Sequence, residues 1–285
     1  MVTLLRTVYA AVLVGSTLFE ILLSMLNIRH MSSVRGSADD SLLEAFESHA
    51  LDKAEAYARD TATAEGVRSL TGLVFLLVFV FSGLLGKCVE LSGEVSGSFV
   101  LNGLLFLVCV HTAMRVLEVP FELYSVFVIE KKYGFTTQTG KLWLKDFFLT
   151  LILYVMLQII IFLPLLGLIL LTPRWWWIPG FLTLCGVEIV VIYIYPVLIA
   201  PLFNKFTPVK NGLLEEKLRK TADKAGLTIS EIRTMDGSRR TTHSNAYITG
   251  FGRTRRIVLY DTLINSLSPD EVNAVFAHEV GHWKK

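Results

Sequence analysis

Five stretches of the chain are each apolar over about the 20 helical residues that a hydrocarbon core roughly 30 Å thick requires, and this limits the fold more than any other feature. They cover residues 8–26, 70–89, 99–119, 147–171 and 175–200. Inside a bilayer every backbone N–H and C=O must be satisfied by the chain itself, so each stretch reads as a membrane-spanning helix. Composition agrees: 53% of the 285 residues are hydrophobic and 18% are charged, with a mean hydropathy of +0.54. That excludes an ordinary soluble domain. A net charge of +2 removes the acidic disordered class and gives no electrostatic case for nucleic acid. Cys88, Cys109 and Cys185 lack CxxC spacing, so neither a disulfide framework nor a thiolate metal knuckle is expected.

The first run contains Glu20 and lacks a small-residue cleavage pattern, so it reads as a retained span rather than a signal peptide. A polar loop over 27–69 follows, and its segment 41–64, with Leu42, Leu43, Phe46, Leu51 and Tyr57 among charges, predicts an amphipathic helix. Between the third and fourth runs, Lys131, Lys132, Lys141 and Lys145 beside aromatic residues read as an interfacial loop. Thr172-Pro173-Arg174 joins the last two runs in a tight hairpin, next to the aromatic belt Trp175, Trp176 and Trp177.

With five spans, the first long loop, the loop after span three and the C-terminal segment share one face. Arg29, Arg35, Lys53, Arg59, Arg68 and the four lysines all fall there, against Arg6, Lys87 and Arg174 opposite. The positive-inside rule makes that face cytoplasmic. Glu20, His111, Arg115, Glu118 and Glu188 lie within runs and call for a hydrated interior, helix-to-helix hydrogen bonding or snorkelling near a membrane end.

From Asn204 onward the sequence becomes that of a small α/β segment. Residues 213–225 predict a helix stopped by Gly226, and 245–249 and 256–260 predict a hairpin around the turn GFGRT. The last eighteen residues, SPDEVNAVFAHEVGHWKK, carry the chemistry. Ser268 and Glu271 form a capping box, Pro269 suits the first helical position, and Leu267 can staple onto Val272. His278 and His282 are four residues apart, about 40° around the helix and about 6 Å along it, so both imidazoles leave one face toward one ion. Two nitrogen donors in that geometry suit Zn²⁺. Glu279 flanks them and is positioned to serve as general base toward water. Chance alone produces HExxH on the order of once in a hundred chains of this length. The capped helix and the apolar lead-in of Val272, Val275 and Phe276 are more than most accidental matches carry.

Taken with the upstream stretches, the chain resembles the integral-membrane zinc proteases of the type I CAAX prenyl protease (Ste24) family, within the M48 metallopeptidases. The resemblance rests on the YGF-xx-QT segment at 133–139, PLFNKFTPV at 201–209, SNAY at 244–247, IVLYDTL at 257–263 and AHEVGHWK at 277–284. It implies an all-α polytopic membrane protein, a helical barrel around a hydrated chamber, with a small α/β zincin-like catalytic segment at the C-terminus. Residues 1–203 would be the transmembrane region and 204–285 a partial peptidase domain. It further implies one Zn²⁺ per chain on His278 and His282, with Glu279 as catalytic base. Asn245, Ala246 and Tyr247 would bind substrate as a strand edge. The third metal ligand is implied to be a glutamate on a later helix, beyond Lys285, so the chain is expected to be a fragment, a truncated gene model or a product with little activity. One departure is Thr136, where the family usually has asparagine.

The implied reaction is removal of the C-terminal tripeptide from isoprenylated CaaX proteins, with membrane lipid as the other partner. The implied location is the endoplasmic reticulum membrane in a eukaryote, with the catalytic segment toward the cytoplasm. Three alternatives remain open at this point. They are a heat-shock-type M48 quality-control protease, a truncated pseudoprotease with a binding role, and a transporter that uses the intramembrane charges as a pathway.

Overall fold

The computed structural model describes residues 2–37, 48–209, 212–250 and 255–284. The chain divides into two compact units, Met1–Tyr133 and Gly134–Lys285. Five helical segments are long and apolar enough to cross a membrane: Leu4–Ser33, Ala50–Phe81, Phe99–Lys132, Gly140–Leu171 and Trp177–Phe203.

The first unit holds α1 (Val2–Ser37), α2 (Ser48–Phe81), α3 (Leu84–Gly93), α4 (Phe99–Leu117), α5 (Val119–Tyr124) and α6 (Glu130–Lys132), with a π turn over Ser125–Ile129. Two expectations are corrected here. The amphipathic segment and the second span are one helix, because no proline interrupts the sequence from Ala50 to Phe81 and its two glycines, Gly66 and Gly72, are carried within the helical ladder. Leu51 and Tyr57 lie on it, whereas residues 41–47, with Leu42, Leu43 and Phe46, are outside the described residues. The helix stops at Gly83, whose φ of +85° suits only glycine, and what was expected to be the end of that span is the separate helix α3. The first part of the loop expected after the third span is also helical, running through α5, the π turn and α6 to Lys132, and only residues 133–139 lie outside helices. Pro120 falls in the first turn of α5, where its missing N–H costs no bond.

Among the intramembrane charges of this unit, Arg115 and Glu118 form ion pairs. Arg68 lies 3.1 Å from Glu118, and Arg115 lies 2.7 Å from Glu122 and 3.5 Å from Glu118. Together with Glu65 they line a cavity of about 260 Å³. Within α4, His111 Nδ1 is 2.8 Å from the Leu107 carbonyl oxygen.

The second unit opens with α7 (Gly140–Leu171), capped by Thr139, whose hydroxyl accepts from the Leu142 N–H at 3.3 Å. Across the Thr172–Arg174 turn comes α8 (Trp177–Ile194), then a π turn over Tyr195–Ile199 and α9 (Ala200–Phe203). Trp175, Trp176 and Trp177 are exposed, as an interfacial belt requires.

The rest of this unit is a four-stranded sheet covered on one face by helices. Its strands are β1 (Phe206–Pro208), β2 (Glu231–Met235), β3 (Ala246–Thr249) and β4 (Arg256–Tyr260), in the order β1-β2-β4-β3. The β3–β4 pair is antiparallel, as the hairpin reading expected, and β2 lies parallel to β4. Turn residues 251–254 are outside the described residues. Against the sheet pack α10 (Gly212–Lys224) and α12 (Pro269–Lys284), with the short α11 (Asp261–Ser266) between β4 and α12. Their shared core includes Leu218, Leu227, Ile257, Leu259, Val272 and Phe276, each at most 1% exposed. Burial of side chains of this size stabilises the fold by about 1.5–3 kcal/mol each, and this holds α12 in place.

Candidate active site

The helix that bears HExxH begins at the expected capping box. Ser268 N–H donates to Glu271 Oε2 at 2.8 Å, its hydroxyl donates to the same oxygen at 2.7 Å, and the Glu271 N–H donates back to Ser268 Oγ at 3.4 Å. The Ser268 backbone N–H first, and then its hydroxyl, hold the Glu271 carboxyl below the usual carboxylate range. Downstream, Val272, Phe276 and Val280 recur every fourth residue and are 1%, 1% and 5% exposed, so one stripe of α12 is locked into the core. Lys217 and Thr221 of α10 add polar ties to Asp270 and Asn273.

His278 and His282 leave the opposite side of the helix, about 200° around from Phe276 and Val280, and both are exposed. Their Nε2 atoms are 3.0 Å apart, and their ring planes are nearly perpendicular at 87°. Two nitrogens on a tetrahedral zinc ion, each at roughly 2.0–2.1 Å, stand about 3.3 Å from one another. The observed spacing meets that requirement after a small side-chain rotation, so the pair fits a divalent ion. Glu279, between them in sequence, is half-buried. Among the described residues no group of three or more His, Cys, Asp and Glu side chains gathers to hold a metal.

The helix packs beside β3, an edge strand that pairs with β4 alone among the described residues. The three residues expected to bind substrate point in different directions. Asn245 is exposed just before the strand: its Oδ1 accepts from the Ala246 N–H at 2.8 Å and its carbonyl from the Tyr260 N–H at 3.0 Å. Ala246 is 3% exposed and points into the core shared with α12. Tyr247 takes the other face, against Tyr195, Arg233 and Arg256, and burial pushes its phenol up to about 12. Any pairing of this strand with a peptide therefore runs through main-chain groups.

Comparison with known proteins identifies the family. A family model described as "CAAX prenyl protease N-terminal, five membrane helices" matches residues 27–205, and one described as "Peptidase family M48" matches residues 208–285. The chain belongs to the M48 family of CAAX prenyl protease 1. It is 41% identical over 198 residues to CAAX prenyl protease 1 of Saccharomyces cerevisiae, covering 66% of this chain and 42% of that protein. To the CAAX prenyl protease 1 homolog of Arabidopsis thaliana it is 36% identical, covering 91% and 63%. The crystal structure of S. mikatae Ste24p superposes with a TM-score of 0.82 at 33% identity, covering 96% of this chain and 66% of that one. The chain thus spans 42% and 63% of the lengths of these two curated relatives. As a member of this family with five apolar helices, it is an integral multi-pass membrane protein.

Two M48 stretches that lie about a hundred residues apart in sequence meet in space. Thr137 N–H donates to the Arg240 carbonyl at 3.1 Å, Thr242 N–H to Phe135 at 2.8 Å, and Thr137 Oγ1 to Ser238 at 2.7 Å. Thr136, the departure from the family pattern, bridges to Thr241 and takes part in this seam. The seam centres on Arg240, a residue that sequence reasoning passed over. It forms a bidentate pair with Asp146, at 2.8 and 3.0 Å, and binds Asn204 Oδ1 at 2.9 Å and the Phe203 carbonyl at 2.7 Å. The only sequence signal was a charged Arg239-Arg240 step a few residues before SNAY, and nothing local pointed to an acid 94 residues earlier.

Proposed function

We propose that the protein is a zinc-dependent endopeptidase that releases the C-terminal tripeptide from isoprenylated CaaX proteins at the membrane surface. The convergence of the His278 and His282 Nε2 atoms at 3.0 Å, on a capped helix beside a one-sided strand edge, is the observation that carries this reading. The names of the relatives, CAAX prenyl protease 1, supply the substrate class. His278 and His282 would hold the ion, and a third protein ligand is to come from outside the described residues. When bound, Zn²⁺ supplies Lewis acidity toward the scissile carbonyl and toward water.

The chain's own residues supply the rest. The open edge of β3 pairs with an extended peptide through main-chain hydrogen bonds and holds the scissile bond beside α12. Asn245, whose Oδ1 already accepts from Ala246, has its Nδ2 hydrogens to offer to the carbonyl oxygen as negative charge develops there. Glu279 takes the proton from the attacking water and returns it to the leaving amine. An isoprenoid partitions into hydrocarbon and delivers the peptide to a site at this level. The positive charge on the loops sharing a face with the peptidase segment supports a cytoplasm-facing site, on the endoplasmic reticulum membrane in a eukaryotic cell.

Glu279→Gln in the full-length protein tests the reading. Turnover of a prenylated CaaX peptide is expected to fall by about 10²–10⁴-fold while bound zinc is retained, and thorough chelation is expected to abolish it. Full activity after either treatment would sink the proposal. Equal rates on prenylated and unprenylated peptides would point instead to a membrane quality-control peptidase.

A further inference from the structure

We infer that Arg240 is a positioning residue: by gripping α7 and the end of α9 it fixes the height of β3 relative to the membrane helices of its own unit, and so selects which peptide bond is cut. This rests on the function proposed above.

The guanidinium is used almost completely. Nε and Nη2 form the bidentate pair with the Asp146 carboxylate, Nη2 also donates to the Phe203 carbonyl, and Nη1 donates to Asn204 Oδ1. Four hydrogen bonds in three directions suit a planar fork with five N–H groups, and a lysine ammonium reproduces neither the number nor the geometry. The side chains of Arg240 and Asp146 are only 21% and 14% exposed, so water screens the pair weakly. Gln138 braces the acid from the other side, donating Nε2 to Asp146 Oδ2 at 3.3 Å.

Each partner belongs to a membrane helix or its end. Asp146 is the seventh residue of α7, and Phe203 and Asn204 close the last helical turn after α8. On the peptidase side the clamp continues along the backbone. The Arg240 carbonyl accepts from Thr137, Thr242 is tied to Phe135, and Thr262 Oγ1 donates to the His243 carbonyl at 2.9 Å. Asn245 and β3 follow directly. Between the membrane helices and the strand edge there are thus only a few residues of chain, of which Thr241, Thr242 and His243 are hydrogen-bonded.

The functional consequence follows from the substrate's chemistry. A lipid anchor fixes one point of the substrate at a set depth in the bilayer, and the strand edge fixes another. One extended residue spans about 3.3 Å. A strand edge free to ride up or down by that distance would offer the neighbouring peptide bond to Glu279. A clamp that joins α7 and α9 to the start of β3 prevents such a shift.

Arg240→Lys and Asp146→Asn in the full-length protein test this, with wild type and Glu279→Gln as references. Mass spectrometry of the released peptides is the decisive measurement. Wild type is expected to release one tripeptide. The clamp variants are expected to retain zinc, to turn over about 10²-fold more slowly, and to add products shifted by one residue. Amide exchange over residues 246–249 is expected to quicken by about tenfold in both variants. A single product, with turnover within twofold of wild type and unchanged exchange, overturns the inference. Slower turnover to the same single product overturns it as well, because that outcome means general destabilisation. Should Arg240→Lys fail to fold, Asp146→Asn, which keeps the shape and one acceptor, carries the test alone. If wild type itself releases no tripeptide, the function proposed above has failed and this inference falls with it.

Discussion

Gly237 opens the turn that leads to the clamp, and it lies against the ring of Tyr260. A Cβ added there would sit 2.6 Å from Tyr260 Cδ2 and 3.2 Å from both Cγ and Cε2. Carbon atoms pack at about 3.5–4.0 Å, so Gly237→Ala demands roughly 1 Å of movement. Cγ is the root of the ring, so turning the ring about its Cβ–Cγ bond leaves the 3.2 Å contact in place, and full relief needs the whole side chain to shift. Tyr260 is also packed against the core, and its N–H is committed to the Asn245 carbonyl at 3.0 Å. The turn itself is pinned, because Asp261 accepts from the Ser238 N–H at 2.8 Å. Overpacking of this kind costs about 1–3 kcal/mol. Equilibrium denaturation of the full-length protein in detergent should register that loss for Gly237→Ala. In a Tyr260→Ala background, where the ring is gone, the same substitution should cost less than about 0.5 kcal/mol. An equal cost in both backgrounds, or none in either, would refute the steric reasoning. The displaced strand start should also lower peptidase turnover.

Phe276→Ala empties the centre of the buried stripe of α12, where Phe276 is 1% exposed, and should cost about 3–5 kcal/mol in the same denaturation measurement. A loss below 1 kcal/mol would mean that the helix is held elsewhere. The capping box should make the start of α12 sensitive to acid. Because the folded Glu271 carboxyl is held below its ordinary value of 4.5, its contribution is present above that value and lost as the pH falls through the lowered one. Amide protection over residues 269–272 should therefore weaken in acid, and an identical acid response in Glu271→Gln would contradict this assignment.

How much was legible beforehand differs from element to element. The five apolar runs and the HExxH helix were both readable, because each is written in local pattern: run length in one case, capping residues and four-residue spacing in the other. Ser268, Glu271, Val272 and Phe276 sit where those patterns require. The second span and the loop after the third were misjudged for one reason. Polarity marks where a helix leaves hydrocarbon, and the helical hydrogen-bond ladder carries on until something breaks it. In α2 that break is Gly83, whose left-handed backbone was not visible in a hydropathy profile. Strands β1 and β2 were missed because three and five residues without clean alternation carry little signal.

Sequence alone therefore determined the membrane character, the family and the placement of HExxH on one capped helix, since those depend on composition, on short motifs in order along the chain and on neighbours within one helix. Tertiary structure decided the rest. It set which face of β3 Tyr247 occupies, joined Arg68 to Glu118, and brought Asp146 to Arg240 across 94 residues of chain. Contacts of that kind depend on how separate elements fold against one another. No periodicity within either segment encodes them, so they become visible only when the partners stand within hydrogen-bonding distance.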